Sequence, residues 1–119
     1  MKKDICVDFD GVLNLYTHYD PNDLCEMREG CPQFLEKLSQ KYKVTILSSR
    51  EPNSIIKWLE KHNLSQYIKQ VTNIKIPAVY YIDDRAVKFD GDFDKTLKEI
   101  EDFKVHWKKS MRFPFIHAG

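Results

Sequence analysis

The strongest constraint in this 119-residue chain is an alternation. Short apolar runs end in polar residues and are separated by segments of helical period. Residues 4–9 (DICVDF) suit a buried strand that stops just before Gly11. Residues 43–47 (KVTIL) form a second strand, closed by Ser48, Ser49 and Arg50. A short strand is expected near 70–73, and a β-branched, aromatic one over 78–82 (AVYYI), stopping at Asp83 and Asp84. Gly30 and Pro32 open a first helix with Phe34, Leu35 and Leu38 on one face. Pro52 opens a second, with Ile55, Ile56 and Leu59 as its apolar stripe. A third helix over 93–103 is expected to turn Phe93, Leu97, Ile100 and Phe103 inward. Strands alternating with helices predict an α/β fold: a three-layer, doubly wound, Rossmann-like parallel sheet with helices on both faces.

The length fits one domain over 1–119 and leaves no room for a second of any size. Residues 12–29 lack a clean period and read as a long excursion or small hairpin that acts as a flap. With 42% hydrophobic and 31% charged residues the chain reads as soluble and globular. No apolar run is long enough for a membrane span, and the start lacks a signal-peptide pattern. The odd set Cys6, Cys25 and Cys31 has no disulfide-framework spacing, so a reducing cytoplasm is expected. A net charge of +1 gives no global field for holding nucleic acid. The oligomeric state is not legible.

Asp8, Asp10, Ser48, Arg50, Asp83 and Asp84 all fall at or just past the C-terminal ends of expected strands. In a parallel sheet those ends share one edge, where ligands bind. Residues i and i+2 of an extended chain point to one side, so Asp8 and Asp10 can face one substrate while Phe9 packs away. Carboxylates crowded this way repel unless a hard cation sits among them, and magnesium suits an oxygen-ligand site shared with a phosphate. A carboxylate is also a competent nucleophile toward phosphorus. A second one can protonate the leaving oxygen and later deprotonate a water. Gly11 lets backbone approach the phosphate without a Cβ. Ser48 and nearby loop amides can hold phosphoryl oxygens, and Lys75 can neutralise charge on the transferring group.

These stretches resemble the haloacid dehalogenase (HAD) superfamily. "DFDGVLN" looks like its first motif, "VTILSSR" like its second, and "KIPAVYYIDDRA" like its third and fourth. The resemblance runs from residue 5 to about 90 in the family's order. It implies a magnesium-dependent phosphatase that works through an aspartyl-phosphate. Asp8 matches the nucleophile and metal ligand, and Asp10 the general acid/base whose backbone carbonyl also binds metal. Ser48 and Lys75 match the phosphate-binding pair. Asp84 matches the direct metal ligand, with Asp83 behind it. "SSRE" and "IDDR" also resemble the 3′-phosphatase domain of polynucleotide kinases, which nominates Arg50 and, beside it in the same loop, Ser49. Each interval between motifs holds one helix and no cap domain, so an open, capless site is expected. The substrate is then a phosphometabolite, a nucleotide or a nucleic-acid 3′-phosphate.

Other readings compete. A catalytically idle binding or scaffold protein would carry the same motifs. A phospho-accepting receiver module is disfavoured because the strand ending at Leu47 delivers Ser48 rather than an aspartate. Asp90, Asp92, Asp94 and Glu101 mimic a calcium loop, but Lys95 stands where that loop needs glycine, so helix-terminal charge is the better account. Cys25, Cys31 and His18 match no standard zinc spacing and read as loop and core positions. The tail 104–119 mixes Lys108, Lys109 and Arg112 with Trp107, Phe113 and Phe115. It either packs on the body, is disordered, or stacks on bases or a partner.

Overall fold

The computed structural model describes residues 1–103; the tail lies outside them. The order of elements is β1 (Lys3–Val7), α1 (Cys31–Lys41), β2 (Tyr42–Leu47), α2 (Pro52–Lys61), a 3-10 turn (Ser65–Tyr67), β3 (Gln70–Thr72), β4 (Tyr80–Ile82) and α3 (Phe93–Asp102). The four strands form one all-parallel sheet in the order β3-β2-β1-β4. The chain steps from β1 to β2 to β3 in one direction, then returns to the other side of β1. The sheet is therefore Rossmann-like, and its order reverses beside the C-terminal end of β1, the position where such sheets bind ligands.

Register explains the core. Ile5 pairs with Val44, Val7 with Ile46 and Ile82, and Ile46 with Val71, so these residues share one face. Ile5, Val7, Val44 and Ile46 are buried in one apolar cluster with Phe9, Leu13, Leu35, Ile55, Trp58 and Leu59, and the partly buried Val71 and Ile82 pack against it. Right-handed crossovers that step the same way put their helices on the same side, and both α1 and α2 pack on this face. Gly30 caps α1 in the left-handed region at φ +87°, and Glu51 caps α2 by accepting from Asn53 N–H at 2.9 Å. No helix among the described residues is long and apolar enough to cross a membrane.

Three expectations need correction. On α1, Phe34 is exposed, and Cys31, Leu35 and Leu38 make the inward face. On α2 the buried residues are Ile55, Trp58 and Leu59, which obey i, i+3, i+4 spacing; Ile56 lies off that stripe and is exposed. The largest difference is α3. Phe93 is 77% and Leu97 62% exposed, and Ile100 and Phe103 are also exposed. The second helical layer of a three-layer sandwich is thus not built by the described residues. An amphipathic pattern makes a helix, but packing it inward needs an apolar surface within reach. The adjoining edge strand β4 has three residues, and its Tyr80 and Tyr81 are exposed.

Candidate active site at the strand ends

The Asp8 N–H donates to Ile82 O at 2.8 Å, which fixes it at the junction of β1 and β4. There, Asp8, Asp83 and Asp84 bring carboxylate oxygens within 4.8 Å of one another. Asp8 pays electrostatically for this. Burial, reinforced by the charges of Asp83, Asp84 and Asp10, pushes its carboxyl up to about 7 despite a hydrogen bond from Phe9 N–H at 2.9 Å. Asp83 Oδ1 accepts from Arg85 N–H at 2.8 Å, while both oxygens of Asp84 are shut away from solvent. A donor set made only of carboxylate oxygens fits a hard cation such as Mg2+, which would relieve this crowding.

Asp10 lies on the other side of β1, toward β2. Arg50 Nε donates to both of its oxygens, at 3.0 and 2.8 Å, and Asn14 Nδ2 donates to Oδ1 at 3.0 Å. Arg50 is almost fully buried. Its Nη1 donates to Asp20 O at 2.9 Å, and the Tyr19 ring lies 4.7 Å from its guanidinium carbon. Its Nη2 is buried with no hydrogen-bond partner. A desolvated guanidinium N–H without an acceptor is costly, so Nη2 is a donor that an anionic oxygen would satisfy. Ser48 N–H donates to Thr72 O at 3.0 Å, and Ser48 Oγ accepts from Arg50 N–H at 3.2 Å, which leaves its own hydrogen to donate. Ser49 beside it is exposed.

Of the expected residues, Asp8, Asp83 and Asp84 converge in one group, and Asp10, Ser48 and Arg50 in an adjoining one. Lys75 joins neither. It is exposed, with Nζ 4.8 Å from the Tyr81 ring centre, and the charges acting most on Asp8 are carboxylates. Its segment is a loop between β3 and β4, and the nearby aromatic ring offers it a cation–π contact.

The sequence reading missed Asn14. It is fully buried: its Oδ1 accepts from Gly11 N–H at 2.8 Å, and its Nδ2 donates to Leu24 O at 2.7 Å as well as to Asp10. The signal was an amide four residues past Asp10 inside an apolar stretch. Arg28 was missed too; it donates to Val12 O and Gly11 O at 3.1 and 3.0 Å. Together they shape the excursion, which is a narrow hairpin-like loop bridged at Asn14–Met27 and Asp20–Asp23. The loop leans on α2 through Trp58 Nε1, which donates to Cys25 O at 3.3 Å. A cavity of about 860 Å³ between loop and α2 is lined by Lys57, Trp58, Lys61, His62 and His18 among others; the strand-end carboxylates do not line it. The acidic stretch after β4 serves the helix: Asp92 Oδ1 caps α3 by accepting from Lys95 N–H at 3.0 Å, and Asp90 pairs with Lys95 Nζ at 2.7 Å.

No known family profile and no curated protein matches the chain. Among solved structures, a conserved protein coded by a locus of Bacteroides thetaiotaomicron superimposes with a TM-score of 0.56 at 21% sequence identity. The match covers 94% of this chain and all of that one. The likeness is one of fold.

Proposed function

We propose that the protein is a magnesium-dependent phosphomonoester hydrolase of the HAD type that works through an aspartyl-phosphate on Asp8. The observation that carries this reading is the setting of Asp8. A carboxylate held among two others at the reversal point of a parallel sheet is costly unless a cation and a phosphate complete it. Asp8, Asp83 and Asp84 would hold the Mg2+, which when bound supplies charge neutralisation to the carboxylates and to the phosphoryl group.

The chain's own residues supply the remaining chemistry. An Asp8 oxygen attacks phosphorus as the P–O bond to the alcohol breaks, and Asp10 gives its proton to the departing oxygen. Asp10 then takes a proton from the water that cleaves the acyl-phosphate, releasing inorganic phosphate and restoring Asp8. Ser48 Oγ–H and Arg50 Nη2 are the donors free to hold phosphoryl oxygens. Loops rather than an inserted domain follow β1 and β2, which supports an open site for a phosphometabolite, a nucleotide or a nucleic-acid 3′-phosphate.

One observation favours the rival reading, a catalytically idle binding protein: Arg50 Nε donates to both oxygens of Asp10, which commits that carboxylate to an ion pair within the fold. An aryl phosphate assay separates the two. Turnover that requires Mg2+, stops with EDTA and is lost in Asp8→Asn supports the hydrolase. No turnover on aryl phosphates, phosphometabolites or 3′-phosphorylated oligonucleotides would leave the binding protein.

A further inference from the structure

The sequence spacing of His18, Asp23 and Cys25 matches no standard zinc pattern, yet the excursion folds them together. One imidazole nitrogen, one Asp23 oxygen and Cys25 Sγ all lie within 4.8 Å of one another. His18 Nε2 is 3.1 Å from Asp23 Oδ2, and Cys25 Sγ is 3.9 Å from His18 Nδ1. Cys25 Sγ also lies 3.3 Å from His18 O and 3.8 Å from Thr17 Oγ1. Unlike the strand-end carboxylates, this set combines nitrogen, oxygen and sulfur, the donors of a borderline-soft divalent ion rather than of magnesium.

Second, the backbone is set for this convergence by contacts that leave the three candidate ligand atoms unused. Cys25 sits at φ +66°, a left-handed conformation that is uncommon for a residue with a Cβ. Its N–H donates to Asp23 Oδ1 at 3.0 Å, which turns the other carboxylate oxygen toward His18. Its carbonyl is held by Trp58 Nε1, and Arg50 Nη1 holds Asp20 O. These bonds hold the loop in place without drawing on the donor atoms. Third, all three residues line the 860 Å³ cavity, with Lys57 and Lys61 also on its wall. Three protein ligands plus one open position is the arrangement of zinc sites that accept water or an anion.

We infer that His18, Asp23 and Cys25 form a zinc site whose fourth position opens into the cavity between the excursion and α2. Asp23 and Cys25 now face opposite nitrogens of the His18 ring, so the ring, which is exposed, turns to bring one nitrogen into the shell, and the Cys25 thiol loses its proton to solvent on binding. The ion cross-braces the loop that holds Arg50, and its open position takes water or an anionic group flanked by the two lysines.

The test is metal binding by the full chain with Mg2+ in excess, so that the strand-end carboxylates are occupied. Competition with a chromophoric chelator should give one equivalent of Zn2+. Co2+ in its place should give a near-ultraviolet thiolate-to-cobalt charge-transfer band. Cys25→Ser and His18→Ala should abolish that band and weaken binding by ~100-fold or more. Asp8→Asn and Cys31→Ser should leave both readouts intact. Circular dichroism of the metal-free variants, matching wild type, shows that folding is not the cause. Absence of a stoichiometric high-affinity equivalent, or a cobalt band that survives Cys25→Ser, overturns the proposal. So does metal-free wild type whose Cys25 alkylates unusually fast while Zn2+ gives no protection, which marks a reactive thiol–imidazole pair instead.

Discussion

The two sides of the β1 strand end differ in how complete they are. Toward β2, Asp10 is met by Arg50 and Asn14, and each polar partner is itself tied to backbone: Arg50 to Asp20 O, Asn14 to Gly11 N and Leu24 O. Toward β4, Asp8 is met by Asp83 and Asp84, and its proton affinity is raised, first by burial and then by those charges, despite the Phe9 N–H. Apart from Arg50 Nη2, the first side is a finished network of opposite charges. The second is an unbalanced one that a bound cation would finish. The packing follows the same division. The β2 side carries two helices over buried Ile5, Val7, Val44 and Ile46, whereas the β4 side ends in exposed tyrosines and a helix with an exposed apolar stripe. Rigid support thus lies on the side that holds Asp10, and electrostatic cost is concentrated at Asp8, where a bound cation would relieve it.

The largest expected effect sharpens that contrast. Asp8→Asn should form no aspartyl-phosphate and lose activity by on the order of 10⁴-fold or more, as when a covalent nucleophile is removed. Asp10→Asn should fall by ~10²–10⁴ and accumulate the intermediate on a good leaving group, because nothing activates the hydrolytic water. Acid-quench trapping with labelled phosphate reads both. Equal losses without trapped intermediate in either variant would break the division of labour.

Asn14→Ala attacks the finished side. It leaves Gly11 N–H and Leu24 O buried without their side-chain partner, at a cost of about 1–3 kcal/mol per group. Urea melts should show the loss of stability, and the turnover of Asp10-dependent steps should fall with it.

The unfinished side makes a prediction about pH. The folded-state pKa of Asp8 is raised to about 7 from the ordinary aspartate value of 3.8. Its linkage contribution is therefore fully present below pH 4 and is lost as pH rises toward 7 and beyond. For Mg2+-free protein this amounts to about 2 kcal/mol, a full conversion of the shift discounted for a site part-open to solvent. Between pH 5 and 8, wild type should lose more stability than Asp8→Asn, and Mg2+ should restore wild type at pH 8. Identical pH profiles for the two proteins would show that Asp8 is not crowded as described.

The smallest effects test the packing half of the comparison. Leu97→Ala on α3 should change stability by no more than about 0.5 kcal/mol, as expected for an exposed site. Leu59→Ala in the α2 core should cost about 2–5 kcal/mol. A large loss at Leu97 would mean that the α3 stripe is covered in solution.

Local signals determined much of this protein. Alternating runs placed the four strands within a few residues, because a buried strand needs a short apolar run and a polar residue must follow where it ends. Asp8, Ser48, Asp83 and Asp84 were legible for that reason: their positions depend on where a strand stops. Other features were decided only by the tertiary structure. Arg50 gripping Asp10 across 40 residues, Asn14 closing the turn beneath it, and Lys75 turning to Tyr81 all depend on paths that loops take around the sheet. His18, Asp23 and Cys25 meet because one hairpin-like excursion bends over α2, not because of their spacing. The same distinction explains α3. Helical period is a property of ten consecutive residues, but burial is a property of what lies opposite, and only the assembled sheet shows that β4 is an edge.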